Sequence, residues 1–97
     1  MEFEWDESKR QSNLRRHHVD FADAEELFQG PMLTSLDERE EYGEDRWIGI
    51  GQAQGRARVV VFTERGVGKV IRIISMRKAL SHERKAYEKV LNELGAG

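Results

Sequence analysis

The chain has 97 residues, no cysteine, a single proline and no long apolar run. The missing cysteine excludes a disulfide framework and thiolate chemistry. A membrane helix requires roughly 20 consecutive apolar residues, so we expect no membrane span and no membrane partner. Glu2, Glu4, Asp6 and Glu7 give the N-terminus the wrong charge for a signal peptide. The sequence therefore predicts one cytoplasmic domain over residues 1–97.

Metal ligands and phosphate-binding loops are equally scarce. His17 and His18 are adjacent but have no third ligand at a zinc-binding spacing, and His82 stands alone. The glycine pairs at 49–51 and 66–68 lie in a predicted strand and a predicted turn, whereas a phosphate-binding loop must open a helix. We therefore predict that the protein uses neither a metal nor a cofactor.

The formal net charge is −2, but the charges are unevenly distributed. Residues 20–45 contain ten acidic side chains and one basic one, whereas residues 46–97 contain eleven basic and four acidic ones. If the fold keeps these segments apart, the protein has an acidic and a basic surface. If it does not, the charges form a mixed solvated surface. Overall acidity disfavours non-specific RNA binding, which keeps open a non-catalytic module that binds protein or nucleic acid through the basic surface.

Local signals along the chain predict an α+β fold. Asp6 can cap a helix over Glu7–His17, and Asp20 can cap a second helix over Phe21–Gln29. β-branched runs and glycine turns indicate strands afterwards. The predicted strands are Met32–Leu36, Arg46–Gln52, Arg58–Glu64 and Lys69–Met76, Met1–Trp5 is a short strand or an extended lead-in, and the last helix is about Leu80–Leu94. These elements predict an antiparallel four-stranded sheet, with two N-terminal helices and a C-terminal helix on one face.

The last predicted strand carries two arginines among isoleucines. Simple alternation places Arg72 between Val70 and Ile74 on one face, and Arg77 on the other face, where the strand gives way to a loop. Arg72 either pairs with a carboxylate or presents its guanidinium to an anion such as phosphate, which arginine binds with two parallel hydrogen bonds. Arg77 is the better placed of the two for a ligand, because sites gather at the ends of elements.

The last predicted helix contains two charges within its apolar stripe. Glu83 and Arg84 fall between Leu80 and Tyr87 at helical spacing. They either form a partly buried ion pair, with each other or with the sheet, or they line a cleft where the helix leaves the sheet.

The first predicted helix has Leu14 as its only large apolar residue. Lys9, Asn13 and His17 share one face at intervals of four residues, and Arg16 extends that polar stripe. The ordinary interpretation is a solvated helix face. A functional interpretation gains weight because so little apolar surface holds this helix in place.

The order of these features resembles that of a known family from end to end. The matching positions are Phe3-Glu4-Trp5-Asp6, Lys9, Asn13, His17, Val19, Phe21, Asp37, Arg39, Gly43-Glu44, Arg46, Ile50-Gly51, Thr63-Glu64-Arg65, Arg72-Ile73-Ile74-Ser75, Arg77, Glu83-Arg84 and Tyr87. In this order they resemble the BrnT toxins of bacterial type II toxin–antitoxin pairs. Two positions depart from the family's pattern: His18 stands where a glycine is usual, and Met76 where a small residue is usual.

The resemblance implies a cytoplasmic, metal-independent endoribonuclease with a fold akin to that of the RelE toxins. It also implies a hetero-oligomer with a BrnA-type antitoxin. The ribbon-helix-helix domain of such an antitoxin binds the promoter of the operon, so the toxin would meet promoter DNA only through its partner.

Cleavage of RNA without a metal sets the roles that the site must supply. A base helps the 2′-hydroxyl attack, cations surround the dianionic phosphorane, and an acid protonates the leaving 5′-oxygen. The candidate catalytic residues are Arg72, Arg77 and Lys9 as cations, His17 or Glu83 as the base, and His17 or Tyr87 as the acid. The candidate RNA-binding residues are Arg16, Arg65, Arg84 and Asn13. Spacing alone does not decide between the assignments of base and acid.

Overall fold

The computed structural model describes residues 1–66 and 70–95. The elements are β1 (Glu2–Glu4), α1 (Glu7–His17), a 3₁₀ turn (Phe21–Asp23), α2 (Ala24–Gln29), β2 (Leu33–Leu36), β3 (Trp47–Ala53), β4 (Arg56–Arg65), β5 (Val70–Lys78) and α3 (Ser81–Glu93). Most of the predicted turn at 66–68 and the predicted strand start at Lys69 lie outside the described residues. Among the described helices, none has the length and apolar content that crossing a membrane requires.

Helix α1 begins and ends as the sequence predicts. The Asp6 carboxylate accepts a hydrogen bond from the Lys9 amide at 3.1 Å, which satisfies one of the free donors of the first turn. His18 closes the helix in the left-handed conformation with φ of 58°, and its amide donates to the Leu14 carbonyl. The position therefore does have the conformation that favours glycine, and His18 occupies it at a modest conformational cost.

The second predicted helix is shorter and less regular than expected. Phe21–Asp23 forms a 3₁₀ turn, and only Ala24–Gln29 is α-helical. The Asp20 carboxylate accepts from the Ala22 amide at 3.0 Å, which tightens the chain at this point.

The prediction of an antiparallel four-stranded sheet is wrong in two respects. In the described ranges the sheet has five strands in the order β1-β5-β4-β3-β2. Neighbours from β2 to β5 are antiparallel, whereas β1 pairs with β5 in parallel, with Glu4 opposite Arg72. The broader prediction of an α+β fold is confirmed. Met1–Trp5, predicted as a short strand or an extended lead-in, does contain a strand at Glu2–Glu4, but its sequence does not say which strand it pairs with.

Helices cover both faces of the sheet, not one. The inner face carries the main core, in which Val60, Phe62 and Ile71 pack with the 3₁₀ turn and α2. The outer face carries Val59, which is buried although it points away from Val60 by strand alternation. Helix α3 lies on this outer face, where its Glu83 pairs with the β5 side chain opposite Val59.

Helix α2 approaches the sheet closely over a glycine. A Cβ atom on Gly51 of β3 would lie 2.9 Å from Cδ2 of Leu27, closer than such contacts occur. Leu27 is fully buried there, so the absence of a side chain at Gly51 allows the close packing of α2 on the inner face.

A β-bulge in β5 changes which side chains share a face. Met76 lies opposite Val60, but Ile73 lies opposite Phe62, so β5 has one more residue than β4 between these pairs. Alternation therefore shifts by one position, and the extra residue is Ile74. The sequence-based assignment of Arg72 and Arg77 to opposite faces is wrong for this reason.

Candidate active site on the outer face of the sheet

The bulge brings two predicted catalytic arginines to the same face. Arg72 lies opposite Thr63, and Arg77 lies opposite Val59. Both partners occupy odd positions of β4, whose side chains point to the outer face. Arg72 and Arg77 therefore flank Ser75 on the outer face, five positions apart in a strand where strict alternation would separate them.

The floor between these arginines is apolar and half-buried. Ser75 lies opposite Val61, which in turn lies opposite Ile48 of β3. All three side chains are partly accessible. The site is thus a partly accessible surface with a largely apolar floor and basic borders.

Arg77 forms a bidentate ion pair with α3. Its Nη1 and Nη2 atoms donate to the two Glu83 carboxylate oxygens at 2.7 and 2.9 Å. The Leu80 amide also donates to Glu83 at 2.8 Å, so the carboxylate is held on three sides. The Arg77 guanidinium and this amide hold the pKa of Glu83 at about 2. Glu83 is therefore ionised and committed to Arg77, and Arg84 turns instead to Glu88 at 3.5 Å.

This pairing decides between the two interpretations of Glu83. It is a partly buried ion pair with the sheet, as one of them proposed. A general base works best when its pKa lies near the operating pH, and a pKa of about 2 leaves Glu83 a poor proton acceptor. The arrangement fits a residue that fixes the Arg77 guanidinium.

Arg72 and Arg65 share a carboxylate from β1. The Glu4 side chain lies 3.6 Å from Nη1 of Arg72, and it also accepts a hydrogen bond from Arg65. The Arg65 hydrogen bond is the main cause of the lowered pKa of Glu4. The parallel pairing of β1 with β5 thus supplies the carboxylate that orients both arginines.

A third arginine borders this face and was not singled out by sequence reasoning. The Asp37 carboxylate is fully buried and accepts from Nε and Nη2 of Arg39 at 2.8 and 2.7 Å. It also accepts from the Tyr42 hydroxyl at 3.1 Å. The Arg39 hydrogen bond is the main reason that the pKa of Asp37 lies well below its usual range. Arg39 itself remains two-thirds exposed.

The positive charge of Arg39 acts on Arg77. The Glu83 hydrogen bond raises the pKa of Arg77, whereas burial and the nearby positive charge of Arg39 lower it. Each of these two cations is held by its own carboxylate. Arg39 is among the positions that match the family pattern, but it was not among the predicted site residues. The available signal was that it is the one basic residue of the acidic segment 20–45, two positions after Asp37.

Asn13 has an internal role. It is 7% exposed. Its Nδ2 donates to the carbonyls of Met76 and Val19 at 2.8 and 3.1 Å, and its Oδ1 accepts from the Met76 amide at 3.2 Å. The Asn13 side-chain amide therefore bonds both backbone groups of Met76 at the edge of β5. Beyond the end of β1, it takes the place of the backbone of a further strand residue. Its amide is engaged, so this geometry does not offer it to RNA.

Lys9 and His17 lie one turn before and one turn after Asn13 on the same stripe of α1. Of this stripe, Asn13 is the residue that contacts β5. Lys9 is exposed and His17 is partly buried. Arg16 is exposed on the same helix.

Tyr87 is also internal. Its ring is 3% exposed, and its hydroxyl donates to the Pro31 carbonyl at 2.9 Å. Burial raises its pKa. Tyr87 therefore anchors α3 to the segment before β2, and its proton is already committed to Pro31.

The structure thus divides the predicted site residues. Arg65, Arg72, Arg77 and Glu83 lie on the outer face, Lys9 and His17 share the α1 stripe of Asn13, Arg16 and Arg84 are exposed, and Asn13 and Tyr87 are buried. Within residues 1–66 and 70–95, no three His, Asp or Glu side chains converge as a metal-binding group.

The comparison with known protein families agrees with the resemblance seen in the sequence. Residues 5–83 match the family described as ribonuclease toxin, BrnT, of type II toxin-antitoxin system. No individual curated protein matches the chain. The matched range contains all three arginines around the apolar floor, Arg39, Arg72 and Arg77. The chain therefore belongs to the BrnT family of ribonuclease toxins of type II toxin–antitoxin systems.

Proposed function

We propose that the protein is a metal-independent endoribonuclease that binds and cleaves RNA on the outer face of its sheet. The observation that carries this proposal is the placement of Arg72 and Arg77 on one accessible face, with Arg39 nearby. Bidentate carboxylates fix the directions of Arg39 and Arg77, and the Glu4 carboxylate lies 3.6 Å from Arg72. Fixed cations stabilise charge in a transition state better than mobile ones, because they need not reorganise during the reaction.

The proposed reaction is an internal transesterification of the RNA, which needs no second substrate. The ribose 2′-oxygen attacks the adjacent phosphorus as its proton passes to a base. The bond from phosphorus to the 5′-oxygen breaks as an acid protonates that oxygen. The products are a 2′,3′-cyclic phosphate and a 5′-hydroxyl. Arg72 and Arg77 donate hydrogen bonds to the non-bridging oxygens, whose negative charge increases at the pentacoordinate stage.

His17 is the remaining candidate for proton transfer. Glu83 is held ionised by Arg77 with a pKa of about 2, and the Tyr87 hydroxyl is engaged with Pro31. Histidine is the side chain that most often serves as a general acid or base, and His17 lies on the stripe of α1 whose Asn13 contacts β5. Lys9, on the same stripe, would contribute a further positive charge.

Cleavage of a long RNA by the purified protein tests the proposal, and we expect it to persist in excess EDTA. The arginines supply the positive charge that a metal ion would otherwise provide. Product ends should be 2′,3′-cyclic phosphate and 5′-hydroxyl, read by end-specific labelling. Loss of cleavage in EDTA, with recovery on adding magnesium or zinc, would show that the proposed mechanism is wrong.

The acidic segment that carries Arg39 allows a matched pair of variants. We expect Arg39→Ala to slow cleavage at least tenfold, because it removes one cation near the phosphate. Neutralising Glu38, Glu40 and Glu41 together with glutamine should leave cleavage intact, because we place only Arg39 of this segment at the RNA surface, where carboxylates would repel phosphate. Initial rates on the same RNA check both. A folded triple variant that no longer cleaves would show that the active surface lies elsewhere.

The antitoxin belongs to the same proposal. We propose a BrnA-type ribbon-helix-helix partner that covers the arginines of the outer face with acidic or apolar groups and links the toxin to promoter DNA. Such partners are short and order on binding. A partner that binds only the folded toxin raises its melting temperature by mass action. Adding the co-expressed antitoxin to the assay should therefore stop RNA cleavage. The compartment in which toxin and antitoxin would meet RNA is the cytoplasm.

A further inference from the structure

Strand β2 forms a free edge of the sheet. It pairs with β3 on one side, and in the part of the chain that the structure describes no strand pairs with its other side. The Asp37 amide donates to the Arg46 carbonyl at 2.7 Å, which continues the pairing with β3 by one residue. Backbone groups alternate in direction along an antiparallel strand. The odd positions of β2 therefore bond to β3, and the amides and carbonyls of Thr34 and Leu36 point away from the sheet.

This edge lacks the protection that edge strands usually have. Natural edges are blunted by charged side chains, proline, bulges or a covering element. Strand β2 reads Leu-Thr-Ser-Leu and pairs with β3 in regular register. All four of its residues are exposed, Leu33 at 36% and Leu36 at 40%. An uncharged, regular and uncovered edge is a template to which another extended chain can add a strand.

An acidic cleft continues from the end of this edge. Its volume is about 720 Å³, and it begins at Leu36. Its acidic lining residues are Asp37, Glu38, Glu40, Glu41, Glu44 and Asp45. Asp37 is paired with Arg39, whereas Glu38, Glu40 and Glu41 form no side-chain hydrogen bond or salt bridge within residues 1–66 and 70–95. Carboxylates without partners at this point favour a chain with basic side chains.

A second copy of the protein fits the edge poorly. If two β2 strands paired about a two-fold axis, the acidic cleft of each copy would lie beside the segment that leads into β2 of the other. That segment, residues 24–32, contains Glu25 and Glu26 and no basic residue. Like charges would therefore meet at both ends of the paired strands. The same carboxylates would repel the phosphates of RNA.

We propose that the β2 edge binds an extended segment of the antitoxin, which adds a strand to the sheet and places a basic side chain in the acidic cleft. The identity of this partner rests on the proposed function, and the contact is additional to the one that covers the arginines. In strand addition, main-chain hydrogen bonds give affinity and alternate side chains give specificity. The segment should carry apolar side chains beside Leu33 and Leu36, and lysine or arginine beyond Leu36.

A pair of variants at Thr34 tests the strand pairing, with the co-expressed antitoxin as the probe. Thr34→Pro removes an amide that points away from the sheet, so the hydrogen bonds to β3 stay intact. Thr34→Val keeps the amide and the shape of the side chain, and it serves as the control. We expect the antitoxin to bind Thr34→Pro about tenfold more weakly than Thr34→Val. Both variants should cleave RNA at the parent rate, because Thr34 lies opposite Gly49 on the inner face, away from the arginines.

Hydrogen exchange of the parent protein gives a second measurement that needs no variant. In the free toxin the Thr34 and Leu36 amides should exchange rapidly, because they have no acceptor. With antitoxin at about 100 times its Kd, about one toxin molecule in a hundred is free, so exchange at both amides should slow about 100-fold. The glutamine variant of Glu38, Glu40 and Glu41 should bind the antitoxin more weakly and with less dependence on salt, while it still cleaves RNA.

Four outcomes would overturn the proposal. Equal antitoxin affinity of Thr34→Pro and Thr34→Val would show that no strand is added at this amide. Rapid exchange at Thr34 and Leu36 in the saturated complex would show the same without a variant. Unchanged affinity of the triple glutamine variant would contradict a basic partner. Protection that appears in the toxin alone and increases with its concentration would assign the edge to a second copy. Absence of RNA cleavage would instead count against the proposed nuclease and leave these binding results unaffected.

Discussion

Replacing Arg72 or Arg77 by alanine is expected to lower the rate of RNA cleavage by about 10²–10³-fold and to abolish growth arrest on expression. Loss of one fixed hydrogen-bond donor to a developing oxyanion typically has an effect of this size. The expected change in stability is much smaller. Arg72 lies 3.6 Å from Glu4, and the Arg77 side chain is 38% exposed, so each ion pair is partly screened by solvent.

A conservative variant separates charge from geometry at Arg77. Arg77→Lys keeps the positive charge. A lysine ammonium cannot pair with Glu83 through two parallel hydrogen bonds and present a further fixed donor to a phosphate oxygen. We expect this variant to retain the stability of the parent and still lose most of the cleavage rate. Arg15→Ala, on the solvent side of α1, is the matched control and should remain fully active. Single-turnover rates and thermal melts measure both quantities. A folded Arg77→Ala protein that still arrests growth would remove Arg77 from the site.

The largest loss of stability is expected for Asn13→Asp, a change that barely alters shape. The variant carboxylate can still accept from the Met76 amide, but it cannot donate to the carbonyls of Met76 and Val19. Two buried acceptors lose their donor and face a negative charge. We expect unfolding to become easier by about 3–5 kcal/mol, as measured by urea denaturation.

The pH dependence of this variant follows from the same geometry. Two facing carbonyls disfavour the charged form, so the folded pKa of the introduced carboxyl should exceed its unfolded value of about 3.9. Such a group binds its proton more tightly when the protein is folded. Relative to the parent, the variant should therefore lose least stability below that unfolded value and progressively more as pH rises through the folded pKa.

The control variant is Asn92→Asp, at an exposed position of α3. It should lower the free energy of unfolding by less than about 1 kcal/mol. Equal losses for the two variants would contradict the internal role of Asn13.

The local elements were largely accessible from the sequence. Helix α1 spans Glu7–His17 as predicted, because the Asp6 cap is a contact between residues three positions apart. The β-branched runs of β4 and β5 also mark strands, since that preference acts residue by residue. The family was accessible as well, because it is carried by the order of residues along the whole chain and needs no contact to be known.

The arrangement of the site could not be predicted in the same way. The separation of Arg72 from Arg77 by strict alternation was reversed by one extra residue in β5, and a bulge leaves no mark in the pattern of the strand itself. Arg39 joins the outer face because a buried Asp37 holds it there, and burial of a carboxylate is a property of the packed molecule.

The sequence by itself determined the α+β class, the bounds of the first helix, the residue types that could bind RNA, and the family. Only the tertiary structure decided which of those residues act together. Asn13 contacts Met76 across 63 positions, and Tyr87 contacts Pro31 across 56. Pairings over such distances depend on strand register and helix placement, which arise from the packing of the whole chain. These pairings place Asn13 and Tyr87 in the scaffold and leave Arg72 and Arg77 together on an open face.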